Sequence, residues 1–200
     1  LNSKISINFD TIYITSEDYL TNFKSDIIVN NNQIKDLILS SQFSTKEDLK
    51  LSIKTNSNNE RITDLFAGNA KPLVKKYDFI KGFEGGYLKF DSIEKNKVSN
   101  SNLKIFDFKL KEVPALTKLL TLASLQGIAD LLTGEGIRFN EFEMIFNNKA
   151  GLMTIEEIYS LGPSISILMD GYIQKNDLVS LRGTLVPATT VNKVIGSIPL

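Results

Sequence analysis

Apolar residues recur at alternate positions in one short run after another. Ile5, Ile7 and Phe9 come first, then Ile12 and Ile14, Ile27 and Val29, Leu37 and Leu39, and Leu49, Leu51 and Ile53. A period of two sends successive side chains to opposite faces of an extended chain, so each run predicts a strand with one apolar face. Asn-rich or Ser/Thr-rich turns separate the runs at intervals of about ten residues, which is the spacing of a meandering antiparallel sheet. Residues 1–60 therefore read as a strand meander, and 61–200 as a second region in which helices join the strands.

Between Arg61 and Tyr77 the rhythm changes. Ile62, Leu65 and Phe66, then Leu73, Val74 and Tyr77, stand at helical spacing with Gly68 between them. Two short helices are expected, the second opening near Pro72, a residue suited to a first helical turn. Strand pattern returns at Ile80–Ser92, where Gly82, Gly85 and Gly86 precede Tyr87, Leu88 and Phe90. Leu103–Val113 is a further strand, apolar on both faces, with Leu103 and Ile105 on one and Phe106, Phe108 and Leu110 on the other. Such a strand is covered on both sides or shifts register at a bulge.

Pro114 opens an expected amphipathic helix whose stripe is Leu116, Leu119, Leu120, Ala123, Ile128, Leu131 and Leu132, with a break at Gly127 and an end at Gly134 and Gly136. Four strands follow. Phe142, Met144 and Phe146 mark the first, and Met153, Ile155 and Tyr159 one face of the second. Ile165, Ile167 and Met169 mark the third, and Val179, Leu181 and Leu185 the fourth, which stops at Pro187. Ala188–Ile195 reads as a short helix ended by Gly196. No strict repeat is present, only repeated hairpins.

Composition removes several kinds of chemistry. The chain has no His and no Cys. Thiol nucleophiles, disulfides, the usual zinc ligands and the common neutral-pH base are therefore absent, and Ser164 has no His to activate it. Lys+Arg and Asp+Glu are equal at 23 each, so no net field favours nucleic acid or an anionic surface. The abundance of Asn reads as the base composition of an AT-rich genome. GFEGG at Gly82–Gly86 opens a strand, whereas a phosphate loop must open a helix, so it reads as a turn or bulge. Glu141 with Glu143, and Glu156 with Glu157, read as solvated; the latter two are strand neighbours pointing to opposite faces. No run of about 18 apolar residues could span a bilayer as a helix. The chain starts at Leu1 beside a strand pattern and stops at Pro199–Leu200, which reads as a piece of a longer chain with any membrane anchor outside it. No cofactor, metal or catalytic residue is expected.

A series of short words in order carries a resemblance. They are Gly85-Gly86-Tyr87-Leu88, Phe106-Asp107-Phe108, Val113-Pro114-Ala115-Leu116, Leu122-Ala123-Ser124-Leu125-Gln126-Gly127, Leu131-Leu132-Thr133-Gly134-Glu135-Gly136-Ile137, Leu161-Gly162-Pro163-Ser164, Asp170-Gly171-Tyr172-Ile173, Leu181-Arg182-Gly183-Thr184-Leu185-Val186-Pro187 and Ile198-Pro199-Leu200. Their order resembles the C-terminal region of AsmA-like proteins of the YhdP and TamB group, from Arg61 to Leu200. The resemblance implies a segment of an inner-membrane-anchored periplasmic protein of a Gram-negative bacterium. Such a protein carries phospholipid between the inner and outer membranes along an apolar β-groove. The alternative is a scaffold assisting outer-membrane protein assembly or envelope integrity. A hydrolase on a β scaffold is the weakest rival.

The expected fold is α+β: a curved, mostly antiparallel β-sheet of the repeating β-groove type, with amphipathic helices packed at one side or end. The apolar strand faces are either sealed core or an open concave surface that holds acyl chains. On the second reading the groove candidates are Phe142, Met144, Phe146, Ile165, Ile167 and Met169. The partners are then phospholipid acyl chains, and the two membranes through parts outside this segment, with no nucleic acid.

Overall fold

A computed structural model of the chain describes residues 2–77, 82–111, 136–175 and 178–187. Eleven strands follow one another in chain order, and each pairs antiparallel with the next. They are β1 (Ser3–Tyr13), β2 (Tyr19–Asn30), β3 (Gln33–Phe43), β4 (Asp48–Thr55), β5 (Arg61–Ala67), β6 (Phe83–Lys95), β7 (Val98–Leu110), β8 (Ile137–Lys149), β9 (Leu152–Leu161), β10 (Ile165–Gln174) and β11 (Val179–Pro187). β1 and β11 remain unpaired with each other, so the sheet is curved but unclosed. β4 pairs with β5 across residue 60, and the two sequence regions share one sheet.

Some asparagines also have a conformational use. Of the nine non-glycine residues with positive φ among the described residues, five are Asn: Asn22, Asn31, Asn32, Asn59 and Asn96. Asn tolerates the left-handed region better than other residues with a Cβ. Asn31 and Asn32 (φ 49° and 60°) join β2 to β3, Asn96 and Lys97 (53° and 63°) join β6 to β7, and Ala150 and Gly151 (54° and 85°) join β8 to β9. Two consecutive left-handed residues are what a type I′ hairpin needs, because its twist matches that of the flanking strands. These tight turns all lie at one end of the sheet. The longer connections, β5–β6 and β7–β8, lie at the other.

The connection from β5 to β6 contains α1 (Lys71–Tyr77), the helix expected near Pro72 and the sole helix among the described residues. The Asn69 side chain accepts a hydrogen bond from the Lys71 N–H at 3.2 Å, and the Val74 N–H reaches the Ala70 carbonyl at 3.0 Å. Ala70 and Val74 are buried against the sheet. The main core lies at this same end, where Phe43, Ala67, Phe83, Ile105, Phe108, Ile137, Phe139 and Ile165 form one cluster with them.

Three expectations need correction. The helix expected over Ile62, Leu65 and Phe66 is strand β5. Leu65 lies between Leu51 and Phe90 in register, while the Phe66 ring approaches Tyr87 at 6.4 Å. A strand with apolar residues on both faces imitates helical spacing over so short a run. In β7 the division of faces is also different. Ile105, Phe108 and Leu110 are buried in the core together, and Phe106 stacks on Tyr87 at 4.8 Å. No register shift occurs there. Left-handed Asp107 (φ 53°) lies opposite Gly86 (φ 75°), and the alternation reverses at that point in both strands. Gly86 is required: a Cβ on it would stand 2.9 Å from the Phe106 carbonyl oxygen. In β9, Met153 and Ile155 share a side as expected, but beyond them Ile158 and Ser160, in place of Tyr159, continue the buried side. The register against β8 and β10 slips at Glu156–Glu157, which are both exposed. A bulge of this kind adds one residue and restarts the alternation. The helices expected from Pro114 and over 188–195 fall outside the described residues.

Candidate functional site

Register turns the separate apolar runs into continuous rows across the sheet. Ile7, Ser25, Leu39, Leu51, Leu65, Phe90, Leu103, Met144, Ile158, Met169 and Gly183 are successive cross-strand partners from β1 to β11. A parallel row runs Ser41, Leu49, Ala67, Leu88, Ile105, Phe142, Ser160, Ile167 and Leu185 from β3 to β11. Neither row contains a charged residue. Most charges of the same strands lie one position away, on the opposite face, as the strand period dictates; Arg61 and Glu94, cross-strand partners at the strand ends, share the face of the rows.

The rows lie on the concave side. A cavity of about 350 Å³ is lined from β6 to β11, with Phe83 at one limit and Leu181 at the other. Neighbouring strands stand about 4.8 Å apart, so β6 and β11 would be about 24 Å apart in a flat sheet. One small cavity touches both because the sheet curls around this face. The Phe90 and Phe146 rings, on strands separated by β7, come within 6.5 Å of each other. A second hollow of about 500 Å³ lies over β3–β6, where Leu39, Leu51, Leu65 and Phe90 of the first row line it with their strand neighbours.

Four of the six groove candidates, Phe142, Met144, Ile167 and Met169, come together in the β6–β11 cavity. All four are half-buried. Phe146 lies on the same side, half-buried, with its ring at Phe90. Ile165 does not line the cavity: it is 1% exposed, sealed in the core near α1. Sequence reasoning named no groove residue in β3–β7, although Leu39, Leu51, Leu65, Phe90 and Leu103 complete the row. Their alternation was the available signal; which face each strand turned inward depended on register and curvature. Ile158 was hidden by the bulge before it.

The ion pair of Lys104 and Glu143 lies on the convex face. Glu143 accepts hydrogen bonds from the Lys104 ammonium at 2.9 Å and the Asn102 amide at 2.8 Å. The Lys104 hydrogen bond holds the Glu143 carboxyl below its ordinary range; partial burial opposes it, and the Asn102 amide and the Lys104 charge add to it. Lys104 is raised, chiefly by the same hydrogen bond, again against partial burial. A depressed carboxyl value contributes stability that is present above the unfolded glutamate value of about 4.3 and lost as pH falls through the folded value. The raised lysine value contributes below about 10.4 and is lost as pH rises through the folded value. A half-exposed pair contributes at most about 1 kcal/mol. Glu143→Gln is therefore expected to lower urea stability slightly at neutral pH, and the gap from wild type should close in acid. A gap that stays constant into acid would show that the pair contributes nothing.

No family model, no curated protein and no solved structure matches this chain.

Proposed function

We propose that the concave face holds acyl chains, and that this chain is a segment of a periplasmic protein carrying phospholipid between the inner and outer membranes. The observation that carries this reading is the row from Ile7 to Met169, which crosses ten strands without a charge and continues to Gly183 in β11. A globular core needs an apolar patch; a path needs an extended track, and from β1 to β10 this row is apolar in every strand but β2, where it passes through buried Ser25. Acyl chains interact by loss of water-exposed area, so such a track holds them at any point and lets them slide. The headgroup then remains in water, and no charged subsite is required. Anchoring in the inner membrane, through parts outside this segment, belongs to the same proposal. The rival reading is a scaffold for assembling β-proteins, and the outer edges of β1 and β11, with which no other described strand pairs, favour it.

Solvent extraction and mass spectrometry of the purified protein separate the two. Phospholipid in near-stoichiometric amount is expected. Co-purified polypeptide without lipid would favour the scaffold, and neither would leave the groove reading without support.

A further inference from the structure

Two residues along the strands from the Ile7–Met169 row, toward the tight turns, a third row runs on the same face. Its flanks are apolar, with Leu37 and Ile53 in β3 and β4, and Phe146 and Ile155 in β8 and β9. Between them, β5–β7 place Thr63, Ser92 and Ser101 as successive cross-strand partners. One step further stand Arg61, Glu94, Ser99 and Asn148, again partners in turn. The concave face of β5–β8 is therefore graded along the strands. It is apolar at the core end, from Ala67 to Phe142, carries hydroxyls at the third row, and is charged or amide-bearing at the rim. From the second row to the hydroxyls is four residues, about 13 Å. Half of a bilayer's hydrocarbon core is about 15 Å.

The hydroxyl level lies between the two hollows. Leu65 and Phe90, next to Thr63 and Ser92 on the same face of β5 and β6, line the β3–β6 hollow. Leu103, next to Ser101 on β7, lines the β6–β11 cavity. The Ser92 and Ser101 hydroxyl oxygens are 2.8 Å apart, and the residues are 9% and 7% exposed. In such a pair one hydroxyl donates to the other, and the second proton has no acceptor among the described residues. Ser41 and Ser160 of the second row instead donate to the Thr21 and Glu141 carbonyls. A buried O–H left without an acceptor is costly, and a ligand carbonyl removes that cost. We propose that a two-chain glycerolipid lies on β5–β8 with an ester carbonyl accepting from the Ser92–Ser101 pair, its polar end at the tight-turn rim, and one acyl chain running into each hollow toward the core end. This rests on the acyl-chain reading of the concave face and adds to it an orientation and an ester requirement. Thr63, half-buried beside Ser92, opens the hydroxyl level to the groove. Arg61 and Glu94 bring one charge of each sign, so the rim is wetted without favouring either.

The chain has no native Cys, so single reporters can be placed along one strand. Bimane is attached at Phe142→Cys, toward the core end of β8, and at Asn148→Cys, at its rim; about 20 Å of strand separates them. Phosphatidylcholine taken up from vesicles is the probe, with a nitroxide either at the chain end or on the headgroup. The chain-end nitroxide should quench position 142 more strongly than 148, and the headgroup nitroxide 148 more strongly than 142. Wild-type protein should bind ester-linked phosphatidylcholine about fivefold more tightly than the ether-linked analogue of the same chain length, which lacks the carbonyl acceptors. Ser92→Ala together with Ser101→Ala should abolish that preference and leave the ether-linked affinity unchanged, which a loss of folding could not do. Circular dichroism checks the fold of each variant. Bound lipid with equal or reversed quenching, or equal ester and ether affinities in the wild-type protein, would overturn the proposal and leave the acyl-chain reading standing. Failure of the protein to take up either phosphatidylcholine would remove that reading, and this proposal with it.

Discussion

On the proposed acyl-chain function, Met144→Asp and Ile167→Asp should each leave the purified protein without lipid and block lipid passage. Both side chains line the β6–β11 cavity, and each lies in a different one of the two apolar rows. A carboxylate there must lose water beside an acyl chain, and no charged residue is among the described residues that line the cavity. The penalty for an unpaired group of this kind is about 3 kcal/mol or more, which is over a hundredfold in affinity. The positions are half-buried, so the fold should survive, with a small loss of melting temperature. Lys175→Ala, on the exposed β10–β11 turn, is the control and should retain wild-type lipid. Binding should change little with salt, because it rests on buried area and not on charge. Photo-crosslinking probes at 144 and 167 should capture phospholipid. Wild-type lipid content in both Asp variants would remove the concave face from consideration as the path.

Phe108→Ala should cost about 3–5 kcal/mol, the usual range for deleting a sealed aromatic ring. Phe108 is 4% exposed and stacked between Phe83 at 5.1 Å and Phe139 at 5.2 Å, so its loss opens a gap that neither neighbour can close alone. For a domain of this size, the midpoint of thermal unfolding should fall by about 10 °C. Phe106→Ala is the paired control. Its half-buried ring stacks on Tyr87 at 4.8 Å on the convex side, with the Lys89 ammonium 5.9 Å from its centroid, and should cost about 1 kcal/mol. Equal losses for the two variants would mean that the core does not lie on the side of Phe83, Phe108 and Phe139.

Much of the strand content was legible because alternation is a local signal. Ile5 to Phe9, Leu37 and Leu39, Leu49 to Ile53, and Phe142 to Phe146 each required no knowledge of the rest of the chain, and each is a strand. The turn residues were equally readable, although the reason for the asparagines was not: a left-handed conformation appears only when the chain is traced. Where the reading failed, a single residue had changed the phase. The bulge at Glu156–Glu157 and the left-handed Asp107 each restart the alternation, and a pattern of period two cannot report its own interruption. β5 was lost for a related reason, since seven residues with apolar side chains on both faces fit a helix as well as a strand.

By itself, then, the amino-acid sequence determined that this chain makes many antiparallel strands with one apolar face each, turned by Asn and Gly, and without the His or Cys that much site chemistry needs. Those properties depend on residues a few positions apart. Tertiary structure alone decided that the faces align into two uncharged rows, that the aligned side is the concave one, and that Met144 and Ile167 line the cavity while Ile165 is sealed. Alignment is set by register between strands distant in sequence, and concavity by the accumulated bending of the whole sheet, so neither is contained in any single run of residues.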